Sequence, residues 1–282
     1  MIENRPLSNL IAHAILWFGI LIVVFPVYLT FVGSTHTAAD ISNGQMPIWP
    51  GAYGLESYAR ALTGATTQIK TTPVGLMMLN SLIMALVIAT GKIAISIVSA
   101  YAVVYFRFPL RMAFFWMIFV TLMLPVEVRI YPTYKIVADL GMLNSFAGLT
   151  LPLIASATAT LLFRQFFMTI PDELAEASKI DGAGPLRFFW DTVLPLSLTN
   201  IAALFVILFI YGWNQYLWPL LITTSGTMET IIIGIKKMVV TSDAQTEWNI
   251  VMATAMLAMG PPVAVVILMQ RWFVKGLVET EK

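Results

Sequence analysis

The sequence contains no cysteine, only two histidines and few charges: 11% of its 282 residues are Asp, Glu, Lys or Arg. Without cysteine the chain forms neither disulfides nor thiolate metal sites. His13 and His36 lie far apart in the sequence and make no metal site together. The formal net charge is +1, which is far from the basic excess typical of proteins that bind nucleic-acid phosphates. Metal-centred chemistry and nucleic-acid binding are therefore disfavoured.

Apolar side chains dominate the composition of the sequence. They make up 59% of the sequence, and the mean hydropathy is +0.83. Several apolar runs are long enough to cross the ~30 Å hydrocarbon core as helices, which satisfy their backbone polar groups internally. The sequence therefore predicts an all-α integral membrane protein with six transmembrane helices, at roughly residues 10–32, 76–106, 112–128, 146–167, 198–222 and 251–274.

The distribution of Lys and Arg gives this topology a direction. An even number of spans places both termini on one side of the membrane. With the termini inside, nine Lys and Arg residues fall in cytoplasmic segments and six fall on the opposite side. This bias follows the positive-inside rule and predicts that both termini are cytoplasmic.

The largest soluble part is the loop 34–75, which this topology places outside. It is rich in proline and glycine, and its stretch Leu55–Leu62 is amphipathic. One interpretation is a connecting loop with a short interfacial helix. The other is a contact surface for an external partner.

A polar, acidic segment separates the fourth and fifth predicted spans, and we name it the Gly182 loop (residues 169–196). Pro171 suits a first helical turn, and Asp172 with Glu173 suits the positive end of that helix. Gly182 is expected to end the helix at positive φ, which only glycine adopts without steric cost.

The second half of the Gly182 loop predicts another short helix, which Pro185 begins and Pro195 stops. We expect Asp181 to hydrogen-bond amides of the turn and Glu176 to hold the two helices in register. Such a pair of helices fits a groove on another protein. It also suits a hairpin that lies on the lipid surface, and these residues by themselves leave both interpretations open.

The motif Glu176-Ala177-Ser178-x3-Gly182, followed by Leu194-Pro195, resembles the EAA loop of ATP-binding cassette importer permeases. Ser178 stands where that family has a second alanine, which is a conservative departure. In the family this loop forms the coupling helices that sit in a cleft of the ATPase subunit. The resemblance therefore implies an ATPase-coupling role for Glu176, Ala177, Ser178, Asp181, Gly182, Leu194 and Pro195.

The resemblance covers nearly the whole chain. Asn80-Ser81 and the segment WNQYLWP at 213–219 resemble the carbohydrate-uptake branch of these permeases. The segments LMLPVEVRI at 122–130 and ASATATLLFRQFFMTIPDEL at 155–174 are similar to members that import sn-glycerol 3-phosphate. That solute is implied, with glycerophosphodiesters as close competitors and a neutral sugar or oligosaccharide as the alternative.

Fold, location and partners follow from the same resemblance. It implies a type I importer permease (MetI-like) fold in the bacterial inner membrane. Residues 1–282 then form a single permease domain with a periplasmic loop at 34–75, a core at 76–275 and a cytoplasmic coupling loop at 169–196. The implied partners are a second permease subunit, two copies of an ATPase subunit and a periplasmic substrate-binding protein. No cofactor is expected in this chain, because ATP binds to the partner ATPase.

Lys92 lies near the middle of the second predicted span, far from both of its ends. Its ammonium is too deep to snorkel easily, and a lysine there costs roughly 2.5–3.5 kcal/mol on insertion scales. It must therefore face a partner or a wet cavity. An internal pair or carbonyl contact is one interpretation, and a cation near the path of a phosphate-bearing solute is the other.

Four further residues are candidates for the solute pathway: Asn80, Arg129, Trp213 and Asn214. Arg129 either forms a salt-bridged interfacial turn with Glu127 or belongs to a gate. The aromatic residues at 213–218 would ordinarily form an interface belt. The amides of Asn214 and Gln215 between them must hydrogen-bond, so a gate or a helix contact is equally open.

The chain is not expected to hydrolyse ATP itself. GATTQIKT at 64–71 approaches the phosphate-binding motif G-x4-G-K-[ST], but Ile69 replaces its second glycine and no strand precedes it. A membrane-embedded enzyme is disfavoured, because the spans lack convergent ionisable residues. A secondary transporter is disfavoured by the absence of an internal repeat and of acidic intramembrane residues for ion coupling.

Overall fold

Helices make up the regular structure of the chain. The computed structural model describes residues 6–44, 46–64, 72–121, 124, 126–239 and 246–279. These residues contain helices and no strand, which confirms the predicted all-α class. In chain order the α-helices are α1 (Pro6–Ser34), α2 (Ala38–Ser42), α3 (Gly54–Thr63), α4 (Val74–Tyr105), α5 (Arg111–Val120), α6 (Val126–Asp139), α7 (Phe146–Thr150), α8 (Ala157–Phe167), α9 (Asp172–Ile180), α10 (Pro185–Phe188), α11 (Leu194–Leu196), α12 (Leu198–Trp213), α13 (Leu217–Ile222), α14 (Ile231–Val239) and α15 (Trp248–Glu279).

Three helices in the described part of the chain are long and apolar enough to cross a membrane. They are Asn9–Ser34 within α1, the whole of α4, and Trp248–Trp272 within α15. Two further pairs join across a bend: Phe146–Leu153 meets α8 at 47°, and Pro185–Leu196 meets α12 at 70°. By length and composition the described helices thus give three spans, or five if each bent pair is one span. The predicted count of six is not reached by these criteria.

Two predicted spans are divided in the structure. In the span predicted at 112–128, α5 ends at Val120 and α6 begins at Val126. The sequence has Pro125 between these two helices, and proline has no N–H to donate to a helical hydrogen bond. α5 by itself is about 15 Å long, half of the ~30 Å core. The span predicted at 198–222 is divided between α12 and α13, and Pro219 lies in the first turn of α13.

The described residues fall into two compact units. The first lies within Met1–Leu76 and Gly234–Gly260. Its amphipathic helix, predicted at 55–62, is α3, and α3 is tied to the beginning of α15 by two polar contacts. Arg60 pairs with Glu247, and the amide of Asn249 donates to the hydroxyl of Ser57 at 3.0 Å. These contacts hold the soluble loop against the last long helix.

The second unit lies within Met77–Ile233 and Pro261–Lys282. One cluster of its core joins α4, α6, α7 and α13 through the buried side chains Met84, Ile88, Val137, Leu149, Trp218 and Ile222. The indole N–H of Trp218 donates to the carbonyl of Gly148 at 3.1 Å, so this buried tryptophan is also satisfied by a hydrogen bond. The cluster fixes the first half of α4, the helix that carries Lys92.

Candidate functional site

The first helix of the Gly182 loop forms as predicted. α9 follows Pro171 and has Asp172 and Glu173 in its first turn, where carboxylates complement the positive end of the helix. Lys179 lies in the last turn, where a cation suits the negative end. Glu176 and Ala177 are exposed, and Ser178 is half-buried. The helix is therefore short, complemented at both ends by its own charges and mostly open to its surroundings.

α9 ends in a Schellman turn centred on Gly182. The backbone N–H of Gly182 donates to the carbonyl of Lys179 at 3.0 Å, and that of Ala183 donates to the carbonyl of Ser178 at 2.9 Å. Gly182 has φ of +73°, which confirms the predicted positive φ. The prediction that Asp181 hydrogen-bonds the turn amides is wrong, because backbone carbonyls already accept from them.

The second half of the loop differs from the prediction. A helix does begin at Pro185, but Pro195 does not stop it, and the helical stretch continues to Leu196. Its middle, Phe189–Val193, is a π-helical turn. In such a turn a carbonyl accepts from the N–H five residues later instead of four. The stretch can therefore stay helical although Pro195 has no N–H to donate. The direction changes only beyond Leu196, by 70°.

Two tyrosines at the end of α4 seat the Gly182 loop. The hydroxyl of Tyr101 donates to the carbonyl of Pro185 at 2.7 Å, and its ring lies 4.9 Å from the ring of Phe189. The ring of Tyr105 meets that of Phe188 edge to face at 5.3 Å. Sequence reasoning missed both tyrosines, because aromatic residues near the end of a span ordinarily indicate an interface belt. Their spacing of four residues, which puts both on one helix face, was the available signal.

The other side of the Gly182 loop is open. Ile180 is 86% exposed and Leu186 is 74% exposed, although both are large and apolar. A cavity of about 140 Å³ lies behind the loop, between α4 and the two short helices, and is lined in part by Ser178 and Lys179. The loop thus has one face anchored by aromatic rings and another that presents apolar side chains with no covering within the described residues.

Lys92 is buried in the middle of α4, with 7% of its surface exposed. Its ammonium lies over the ring of Tyr211 on α12, 3.9 Å from the ring centroid. Such a cation–π contact partly compensates the loss of water around the charge. Among the described residues no carboxylate pairs with Lys92, and Arg129 is close enough for the two positive charges to repel each other. Lys92 is therefore held by an aromatic ring, without an anionic partner from the described residues.

The other predicted pathway residues have different surroundings. Asn80 is buried and donates both amide hydrogens, to the carbonyls of Thr227 and Glu229 at 2.9 Å each. Trp213 is buried and stacks on Phe209 at 6.0 Å, while Asn214 is exposed just beyond the end of α12. A role for these side chains in solute passage stays a prediction.

Arg129 is exposed on α6. The side chain of Glu127 lies outside the described residues, so their predicted ion pair stays a prediction. Residues 65–71 of the phosphate-loop-like segment also lie outside them. Among the described residues no group of three His, Asp or Glu side chains is placed to hold a metal ion.

Apolar helices of membrane-spanning length define the class of this protein: a multi-pass membrane protein. The chain belongs to the family described as the binding-protein-dependent transport system inner membrane component, whose family model matches residues 92–279.

The chain is similar over its full length to permeases described as "sn-glycerol-3-phosphate transport system permease protein UgpE". The identity is 64% with the protein of Rhizobium meliloti (strain 1021), 62% with that of Agrobacterium fabrum (strain C58 / ATCC 33970) and 57% with that of Yersinia pestis bv. Antiqua (strain Antiqua). Each similarity covers 100% of both chains. The predicted resemblance to importer permeases is therefore confirmed.

A solved structure of low identity shows the same fold. It is a bacterial ABC transporter involved in the import of the acidic polysaccharide alginate. The TM-score is 0.81 at 19% identity, and the match covers 97% of this chain and 99% of the other. The ABC importer permease fold is thus shared.

Proposed function

We propose that the chain is the permease subunit of an ATP-binding cassette importer and forms half of the translocation pathway for sn-glycerol 3-phosphate. The observation that carries this proposal is full-length identity of 57–64% to permeases described by that solute. The other half of the pathway is a related permease subunit. Two ATPase subunits bind ATP, and a periplasmic binding protein delivers the solute.

The proposed topology places both termini and the Gly182 loop in the cytoplasm and the loop 34–75 in the periplasm. The excess of Lys and Arg in the segments on the same side as the termini supports this direction. In this arrangement the open face of the Gly182 loop, with Ile180 and Leu186, enters a cleft of the ATPase. Its exposed apolar surface is the kind that a protein groove covers.

Coupling follows from how the Gly182 loop is seated. Closure of the ATPases on ATP displaces the loop as a rigid body. The hydrogen bond from Tyr101 to Pro185 and the ring contacts of Tyr101 and Tyr105 transmit this displacement to the end of α4. Because α4 also carries Asn80 near its other end, movement at the ATPase reaches this candidate pathway residue through one helix. The pathway then alternates between inward-facing and outward-facing states.

Lys92 is proposed to favour an anionic solute. Its buried ammonium is held by the Tyr211 ring, and Tyr211 itself is partly exposed. An anion that approaches this region gains roughly 1–4 kcal/mol from a unit charge about 4 Å away, depending on the local dielectric. This electrostatic preference separates a phosphorylated glycerol from a neutral sugar, which is the alternative solute.

Vesicle uptake tests the proposed function directly. The chain is reconstituted with its partner permease, the ATPase and the binding protein, and uptake of labelled sn-glycerol 3-phosphate is measured with and without enclosed ATP. We expect accumulation only with ATP and binding protein present, and competition by glycerophosphodiesters but not by maltose. Accumulation of labelled maltose in place of the phosphate ester would support the neutral-sugar alternative and contradict the proposal.

The variant Tyr101→Phe tests the link between the Gly182 loop and α4. It removes a hydrogen bond with a net contribution of about 1 kcal/mol and leaves the ring contacts in place. We expect the number of solute molecules imported per ATP hydrolysed to fall several-fold, while the assembled complex is recovered in normal amounts. Tyr105→Phe is the matched control, because the Tyr105 hydroxyl makes only a long contact of 3.4 Å, with the Phe167 carbonyl. An unchanged import ratio in Tyr101→Phe would remove this hydrogen bond from the coupling mechanism.

A further inference from the structure

The chain that leaves α1 forms a loop closed at its neck by Thr35. The backbone N–H of Gly51 donates to the hydroxyl of Thr35 at 2.8 Å, and that of Tyr53 donates to the carbonyl of Thr35 at 2.9 Å. The chain therefore leaves the end of α1 after Thr35 and returns to it at Gly51, as in a compact Ω-loop. Because Gly51 is bound to Thr35, the residues just before Gly51 must lie near the end of α1.

The loop has a polar arm and an apolar arm. The polar arm contains α2, whose N-terminal Thr37 forms a capping box with Asp40. The hydrogen bonds from Thr37 hold the pKa of Asp40 below its ordinary value, so its carboxylate stays charged and in water. The apolar arm is Met46–Pro50, in which Ile48 is 64% exposed and Trp49 is 78% exposed. The two arms thus require different surroundings.

The apolar arm is held in place by its backbone. The hydroxyl of Tyr28 on α1 donates to the carbonyl of Ile48 at 2.7 Å, and the imidazole Nε2 of His36 donates to the carbonyl of Trp49 at 2.9 Å. Pro47 and Pro50 have no N–H to satisfy. Two carbonyls of this arm are therefore paired and two of its residues have no N–H, which lowers the cost of placing the arm at the edge of the lipid.

Tyr28 gives the depth of the apolar arm. It lies six residues before the end of α1 at Ser34, which corresponds to about 9 Å along the helix axis. Helical side chains tilt toward the N-terminus, so Ile48 must descend along α1 to meet the Tyr28 hydroxyl. Residues 9–26 of α1 are exposed and residues 27–30 are half-buried, so the described chain leaves part of this helix open next to the arm. The apolar arm therefore lies beside the last turns of α1 before Ser34.

We infer that the apolar arm 46–50 is a membrane anchor, which inserts Trp49 and Ile48 into the boundary between lipid headgroups and acyl chains at the Ser34 end of α1. Trp and Tyr are enriched at this level of the bilayer, where an apolar ring and a polar tip are both satisfied. The polar arm then faces water, and the anchor orients α2 and α3 on the membrane surface.

Spin labels test this anchor, since the chain has no cysteine and each introduced cysteine is unique in it. Trp49→Cys and Ile48→Cys are labelled in the assembled transporter, whose other subunits are prepared as cysteine-free variants, in phosphatidylethanolamine–phosphatidylglycerol bilayers. Asn43→Cys on the polar arm is the matched control. We expect the ratio of oxygen to nickel-chelate collisions to be several-fold higher at residues 48 and 49 than at residue 43.

Each alternative gives a different signal. Frequent nickel-chelate collisions at both apolar positions would show that the arm lies in water, and rare collisions with both reagents would show that protein covers it; either result overturns the anchor. Ile48→Cys carries the test if Trp49→Cys fails to assemble. Addition of Tyr28→Phe to Ile48→Cys is expected to raise the nickel-chelate collisions at residue 48, because the carbonyl of residue 48 loses its donor.

Discussion

Gly182→Asp and Gly182→Val are expected to abolish ATP-driven uptake while the long apolar helices still insert into the membrane. The long helices satisfy their own backbone hydrogen bonds, so their insertion does not depend on the Gly182 loop. What changes is the turn that separates the two short helices. We expect the loss of uptake to be about tenfold or more, which corresponds to at least 1.4 kcal/mol of lost coupling.

The two variants act through different physical effects. Gly182 has φ of +73°, and valine at such a position is strained by roughly 1–2 kcal/mol. Aspartate tolerates left-handed backbone better, so its strain is smaller. An added Cβ at residue 182 would meet no atom of the described chain within 4 Å. A severe effect of Gly182→Asp must therefore come from a surface outside this chain that approaches the turn closely.

Gly141 provides a matched control for the turn itself. It ends α6 in the same hydrogen-bond pattern, has φ of +67°, and its added Cβ would also meet nothing within 4 Å. Gly141→Asp should therefore introduce the same backbone strain and keep uptake. The measurements are insertion, co-purification of the ATPase and ATP turnover stimulated by loaded binding protein. Wild-type stimulated turnover in Gly182→Asp would contradict the coupling role of the loop.

Lys92→Met is expected to lower uptake of sn-glycerol 3-phosphate about tenfold, which is within the 1–4 kcal/mol that a unit charge contributes at about 4 Å. Methionine fills a similar volume and suits apolar surroundings, so the complex should assemble in normal yield. Because no described carboxylate pairs with Lys92, its removal leaves no buried anion without a partner. The expected defect is therefore in transport and not in folding.

The comparison of charge and ring variants sharpens this test. Lys92→Arg keeps the cation and its contact with the Tyr211 ring, and it should retain most of the uptake. Tyr211→Leu removes the ring and should lower uptake less than Lys92→Met does. Complex yield is measured by affinity purification alongside uptake. A loss of yield that precedes the loss of uptake would make Lys92 a structural residue, and normal uptake in Lys92→Met would exclude it from the solute pathway.

The sequence indicated those features that depend on local chemistry. Apolar runs longer than twenty residues predict membrane helices whatever their neighbours, and α1, α4 and α15 formed as single helices. The end of α9 at Gly182 was predictable for a similar reason, since a glycine after a short helix offers the left-handed residue that a Schellman turn needs. The placement of Lys92 in a long apolar helix followed from its position in the run.

Features that depend on tertiary contacts were not predictable from the pattern. Pro195 lies inside a helical stretch because a π-helical turn precedes it, and nothing in the spacing of apolar residues announces such a turn. The tyrosines that seat the Gly182 loop resemble ordinary interface residues until Phe188 and Phe189 fold back onto them. The partner of Lys92 is also non-local, because Tyr211 lies on another helix.

The uninterrupted form of α4 has a mechanical consequence. It contains no proline, and at Gly91 it presses so close to Ile154 that an added Cβ would lie 2.9 Å from that side chain. We expect α4 to tilt about this contact. Asn80 lies eleven residues before Gly91, and Tyr101 lies ten residues after it. Asn80 and Tyr101 thus lie at nearly equal distances of about 15 Å from Gly91 along the helix. A tilt of α4 about Gly91 therefore displaces them by similar amounts in opposite directions. Because Lys92 is next to Gly91, we expect it to move little while both ends of α4 are displaced.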